Sequence, residues 1–91
     1  MNGSSGQWIS DSLKIHKMQV RWAVDQEMAR TVEDVLARRT RALLLNASES
    51  IRIAPEVARI MAEELHKDLA WQKEQIENYT SIANQYILKT N

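Results

Sequence analysis

The stretch TVEDVLARRTRALLLNA, residues 31–47, decides the fold. At about 100° per residue, Val32, Val35, Leu36 and Leu43 share one side of a helix, and no strand-like alternation competes with that spacing. Thr31 can cap the helix by accepting from the amide of Glu33 or Asp34, two acids that the helix dipole favours in a first turn. Three arginines then arrive within four positions, Arg38, Arg39 and Arg41. Arg38 and Arg41 project to the far side, whereas Arg39 falls within about 20° of Val32, on the apolar side.

Upstream, the spacing predicts a helix over about 16–29 with Val20, Ala23, Val24 and Met28 on its core side. Glu27 shares that side, about 20° from Val20. Trp22, with Met18 and Ala29, points the other way as a second apolar stripe. No glycine or proline separates this helix from the next, so one continuous helix stays open. Downstream, Asn46 and Glu49 resemble a capping box for a short helix over 47–53. Pro55 disfavours a helical Ala54 and suits the first position of a new helix over 55–66. That helix buries Val57, Met61 and Leu65, with Ala58 and Ala62 permitting close approach. Asp68 caps a last helix over 69–88 with the stripe Leu69, Ile76, Ala83 and Ile87, flanked by Tyr79 and Tyr86. The expected fold is all-α, a small bundle of four to five helices over residues 13–91. Residues 1–12 read as a flexible lead-in, anchored only by Trp8 and Ile9.

Composition narrows the function. A chain of 91 residues, 44% hydrophobic and 26% charged, fits one small globular domain. Twelve basic and twelve acidic residues cancel, which leaves no global field to attract nucleic acid. The lack of cysteine removes disulfides, thiolate nucleophiles and cysteine zinc sites. No apolar run is long enough to cross a bilayer and no secretory signal opens the chain, so a cytoplasmic location is expected. His16 and His66 have no acid or nucleophile at motif spacing, and there is no Gly-rich phosphate loop or nucleophile elbow. No catalytic, cofactor-binding or metal-ligating residue is expected.

Arg39 needs its own explanation, because an unpaired buried charge costs several kcal/mol. Glu27 is the carboxylate that the projection puts on the apolar side of the neighbouring helix. A bidentate or near-bidentate Glu27–Arg39 ion pair between the first two helices is therefore expected. The other reading has the Arg39 stem packed and its head at the edge. Arg38 and Arg41, with Met18 and Trp22, are the candidate interface with a partner domain. An autonomous helical binding module, such as a DNA-binding regulator, is the alternative, opposed by the balanced charge.

The blocks VRWAVDQEMARTVEDVLARRTRALLLNA (20–47), APEVARIMAEEL (54–65) and AWQKEQIENY (70–79) resemble the C-terminal helical domain of FAD-dependent glycerol-3-phosphate dehydrogenase. Their order and spacing match, the likeness covers roughly 9–88, and EDVLARRTR (33–41) is its strongest part. Asp25-Gln26 departs from the basic pair or Arg-His frequent there, and His66-Lys67 lacks a frequent glycine. The resemblance implies a fragment of an enzyme that oxidises sn-glycerol 3-phosphate to dihydroxyacetone phosphate, reduces FAD and passes electrons to a quinone or another acceptor. It implies that the flavin and substrate sites lie upstream, so this chain alone is expected to be inactive, with no cofactor of its own. The implied partner is the catalytic FAD-binding domain of the same parent chain, and the uncovered stripe leaves room for self-association. The parent enzyme is expected to be cytoplasmic or peripheral on the inner face of the membrane.

Overall fold

With no glycine after residue 6, four corners of this chain are turned by residues that carry side chains. Lys14, Met28, Arg41 and His66 all have φ near +60°, a conformation that costs a non-glycine residue about 1–2 kcal/mol. They bound the elements of the computed structural model, which describes residues 8–90. A short antiparallel hairpin comes first, β1 (Trp8–Ser10) and β2 (Ile15–His16), turned at Lys14 and bulged between Trp8 and Ser10. Helix α1 (Lys17–Gln26) follows directly. A π-helix (Asp34–Arg39) and the single turn α2 (Ala42–Leu45) lead into the two long helices, α3 (Ala47–Leu65) and α4 (Leu69–Thr90).

The fold is the expected all-α bundle with a small two-stranded sheet at its edge. Residues 8–12 of the expected lead-in belong to the hairpin and its turn. Residues 1–7 lie outside the described residues. Ser10 is buried and tethers the hairpin by donating to Glu49 Oε2 at 2.7 Å. Glu49 also accepts from Arg52 Nε at 2.7 Å and Nη2 at 2.5 Å.

The Arg52 hydrogen bonds first, and the Ser10 hydroxyl second, hold the Glu49 carboxyl down from its ordinary 4.5 to about 2. A depressed carboxyl stabilises the fold above its unfolded pKa, and that stability is lost as pH falls through the folded value. The advantage of this chain over Glu49→Gln, read as a difference in Tm, is therefore expected to shrink as pH drops from 4.5 toward about 2. A difference that does not vary with pH would refute the tether's role.

Helix α3 sits at the centre, packed against α1, α4 and the hairpin. Its buried positions include Ile53, Ala54, Val57, Ala58, Ile60 and Met61. The break expected before Pro55 does not occur: the helix runs through the proline, which is exposed, without interruption. An interior proline costs about 3 kcal/mol, and apolar burial on both sides of Pro55 outweighs it.

Helix α4 docks through Tyr79 and Ala83, both buried. The Tyr79 hydroxyl donates to Ser50 Oγ at 2.8 Å, and Ser50 donates to the Ala47 carbonyl at 2.7 Å. Burial pushes the Tyr79 phenol up. Leu69, at the start of the expected stripe, is exposed, whereas Ala83 on the same stripe is buried and Ile76 packs against the core.

Both predicted starts at Asn46 and Asp68 are present, their oxygens accepting from the amides of Glu49 and Trp71. Helix α3 ends at His66, a left-handed cap whose neighbour Lys67 donates to the Ala62 carbonyl at 2.9 Å. His66→Gly removes the Cβ from that conformation. It is expected to stabilise the fold by about 0.5–1 kcal/mol, raising Tm by about 3–6 °C in thermal unfolding.

Candidate docking surface

Helix α1 begins where His16 Nδ1 accepts from the Met18 amide at 3.0 Å, while Gln19 Oε1 accepts from the His16 amide at 2.5 Å. Trp8 meets the His16 ring edge to face at 5.0 Å. The helix stops sooner than expected, at Gln26. Met28 takes the left-handed position, and the Ala29 amide closes the end on the Ala23 carbonyl at 2.9 Å. This ending exchanges two expected places. Ala29, predicted on the outer stripe, is in the core, and Met28, predicted in the core, is 67% exposed. The continuous first and second helix is likewise excluded.

The Thr31 hydroxyl accepts from the Asp34 amide at 3.0 Å, as the cap requires. Asp34 Oδ2 returns to the amides of Arg30 and Thr31. Burial raises the Asp34 carboxyl, but those two amides, the Thr31 hydroxyl and the charge of Arg38 together hold it below its ordinary value. From Asp34 the chain winds as a π-helix. The Val35 carbonyl accepts both the amide and the hydroxyl of Thr40 at 2.9 Å.

Val32, Val35, Leu36 and Leu43 are buried as the spacing predicts. The Arg39 projection is not kept. A wider helix advances less per residue, so Arg39 slips off the apolar side. The side chains of Arg39 and Glu27 are 47% and 38% exposed, with Arg39 Nε 3.8 Å from Glu27 Oε1. A single contact at the rim thus stands where a bidentate pair inside the core was expected. The shorter bond runs from Arg39 Nη2 to the Glu27 carbonyl at 3.1 Å. A double-mutant cycle of Glu27→Gln and Arg39→Gln is expected to give a coupling energy below about 1 kcal/mol, that of a solvated pair.

These residues surround an open groove of about 380 Å³ lined by Met18, Gln19, Trp22, Glu27, Arg39 and Thr40. Met18 is 58% and Trp22 61% exposed. Of the four candidate interface residues, Met18 and Trp22 lie in the groove, while Arg38 and Arg41 flank its lining pair Arg39-Thr40 in sequence. Gln19 and Thr40 were not foreseen. The His16-x-x-Gln19 capping pattern was the available signal for the first, and the π-winding that brings in Thr40 has none.

Apart from Arg30, which donates to the Val24 and Ala29 carbonyls, the guanidinium groups divide into two sets. On α1 and α3 they are held closely: Arg52 by Glu49, Arg59 by Glu56 at 2.7 Å and Glu63 at 3.0 Å, and Arg21 by Glu64 at 3.2 Å. Along 38–41, where Arg39 lines the groove, they are held loosely. Arg38 reaches Asp34 only at 3.9 Å, Arg39 reaches Glu27 at 3.8 Å, and Arg41 has no carboxylate within 4.0 Å among the described residues.

A dinucleotide cofactor does not fit the described residues. Both glycines precede residue 8, so no Gly-rich turn joins β2 to α1. At that junction, where a pyrophosphate would meet helix amides, His16 already caps the helix. Among the described residues no group of acids and histidines is arranged for a metal, and no helix is long and apolar enough to cross a membrane.

Residues 2–76 match the family model for the C-terminal domain of alpha-glycerophosphate oxidase. A probable mitochondrial glycerol-3-phosphate dehydrogenase of Caenorhabditis elegans is 42% identical over 59 residues, covering 65% of this chain. The aligned part is 8% of that relative's length. Neither match supports the DNA-binding alternative. No solved structure matches.

Proposed function

The chain belongs to the family of the C-terminal domain of alpha-glycerophosphate oxidase, and on that premise we propose that it is the non-catalytic C-terminal domain of an FAD-dependent glycerol-3-phosphate dehydrogenase. In this reading the parent enzyme oxidises sn-glycerol 3-phosphate to dihydroxyacetone phosphate on a flavin held by its catalytic part, and the bundle packs on that part. The observation that carries the reading is the family match over 2–76, from ahead of the hairpin into the first part of α4. The bundle has a core of its own, as a unit that supports an active site without containing it would need. The proposed location is cytoplasmic, with the parent enzyme peripheral to the membrane. The nematode relative, by its name, is mitochondrial.

Complementation tests the reading. A dehydrogenase of this family truncated before the domain is expected to retain FAD poorly, and this chain added in trans is expected to restore bound flavin and glycerol 3-phosphate oxidation. Full flavin occupancy and activity in the truncated enzyme, unchanged by the added chain, would refute it.

A further inference from the structure

We propose that the groove floored by Met18 and Trp22 receives an apolar side chain of the catalytic part whose flanking carboxylates are bound by Arg38, Arg39 and Arg41. The inference rests on the accessory-domain reading and adds to it the face used and the chemistry of the segment that fills it. Three observations converge. Met18 and Trp22 are large apolar side chains more than half exposed, with Met28 exposed just past the end of their helix. An aromatic beside a methionine in a concave surface is the composition of an interface centre.

The charge along 38–41, the segment that gives Arg39 to the groove, names the occupant. On α1 and α3 the guanidinium groups meet carboxylates at 2.5–3.2 Å, and Arg30 donates to the Val24 and Ala29 carbonyls instead. Along 38–41 the distances are 3.8 and 3.9 Å, and Arg41 has no partner among the described residues. Asp34 Oδ2 accepts the Arg30 and Thr31 amides, and Arg38 Nε stands 3.9 Å from the other oxygen, Oδ1. Fork-shaped donor capacity is left unspent beside an apolar floor, and the complement is a segment that brings carboxylates with a hydrophobic anchor. The backbone of Arg41 is itself left-handed, so the chain bears local strain at the residue whose guanidinium has no carboxylate among the described residues.

Side-chain oxidation footprinting reads this face directly, since tryptophan and methionine are the reactive residues. The full-length enzyme that contains this domain is compared with the 91-residue chain alone. Met18 and Trp22 are expected to oxidise at least about fivefold more slowly in the full-length enzyme, as in the water-excluded centre of an interface. Trp71, on α4, is expected to react at the same rate in both. The double substitution Arg38→Gln with Arg41→Gln in the full-length enzyme is expected to return Trp22 toward its rate in the isolated chain.

The outcomes separate the two readings. Protection confined to another face overturns this inference and leaves the accessory role standing. No protection on any face overturns both. Protection of Trp22 in the isolated chain that grows with concentration assigns the groove to a second copy and overturns the inference. Protection that survives the arginine substitutions overturns the assignment of the carboxylates.

Discussion

Tyr79→Ala is expected to destabilise the chain by about 3–5 kcal/mol, the cost of emptying the site of a large, fully buried aromatic. Tyr79 is 1% exposed and is the main anchor of α4 on α3. A chain of this size has about 5–14 kcal/mol in total, so the variant should unfold at markedly lower urea. The smaller substitutions distinguish packing from polarity. Tyr79→Phe removes one hydroxyl and leaves Ser50 donating to the Ala47 carbonyl, so it should cost only about 0.5–1.5 kcal/mol. Ser50→Ala strands the phenol inside and should cost about 1–3 kcal/mol. No measurable loss in either variant would mean that the hydroxyl pair contributes nothing specific. Tyr79 and Ala83 both lie beyond residue 76, where the family match ends. The core of this chain therefore depends on a segment outside the matched range.

Leu36→Ala is the second large effect, expected at about 2–5 kcal/mol. Leu36 is fully buried, in the π-helix between α1 and α2. Its loss should lower the urea midpoint without changing the slope of the transition. A loss below about 1 kcal/mol would mean that the π-helical segment collapses onto the cavity and that its winding is not fixed by packing.

That segment shows what could be read from the residues and what could not. Val32, Val35 and Leu36 are buried although the segment is π-wound, because short apolar spacings survive a modest change of pitch, and Leu43 is buried from the separate turn α2. Arg39 is seven residues from its reference Val32, and there the accumulated slip is large enough to move a charge from the interior to the rim. The hydrogen bonds from Thr40 to the Val35 carbonyl that set the winding leave no pattern in sequence. Ends were harder to read than faces for a related reason. A glycine signals a left-handed terminus, and here Met28, Arg41 and His66 adopt that conformation without one. The exchange of Met28 and Ala29 follows from the first of these. Met18 and Trp22 were legible as an outer stripe because they lie within an α-helical stretch with ordinary period. The division of the arginines into closely and loosely held sets was not legible, since it depends on which acids the tertiary fold brings near.

The uninterrupted course of α3 through Pro55 has a dynamic consequence. Proline has no amide hydrogen, so the Ile51 carbonyl lacks its donor one turn ahead, and the ladder has a missing rung near its middle. Local fraying can stop at that gap from either side. The segment 47–54, tied to the hairpin through Glu49, and the segment 55–65, tied to α1 through Glu56 and Glu64, can therefore open as separate units and exchange their amide protons at different rates.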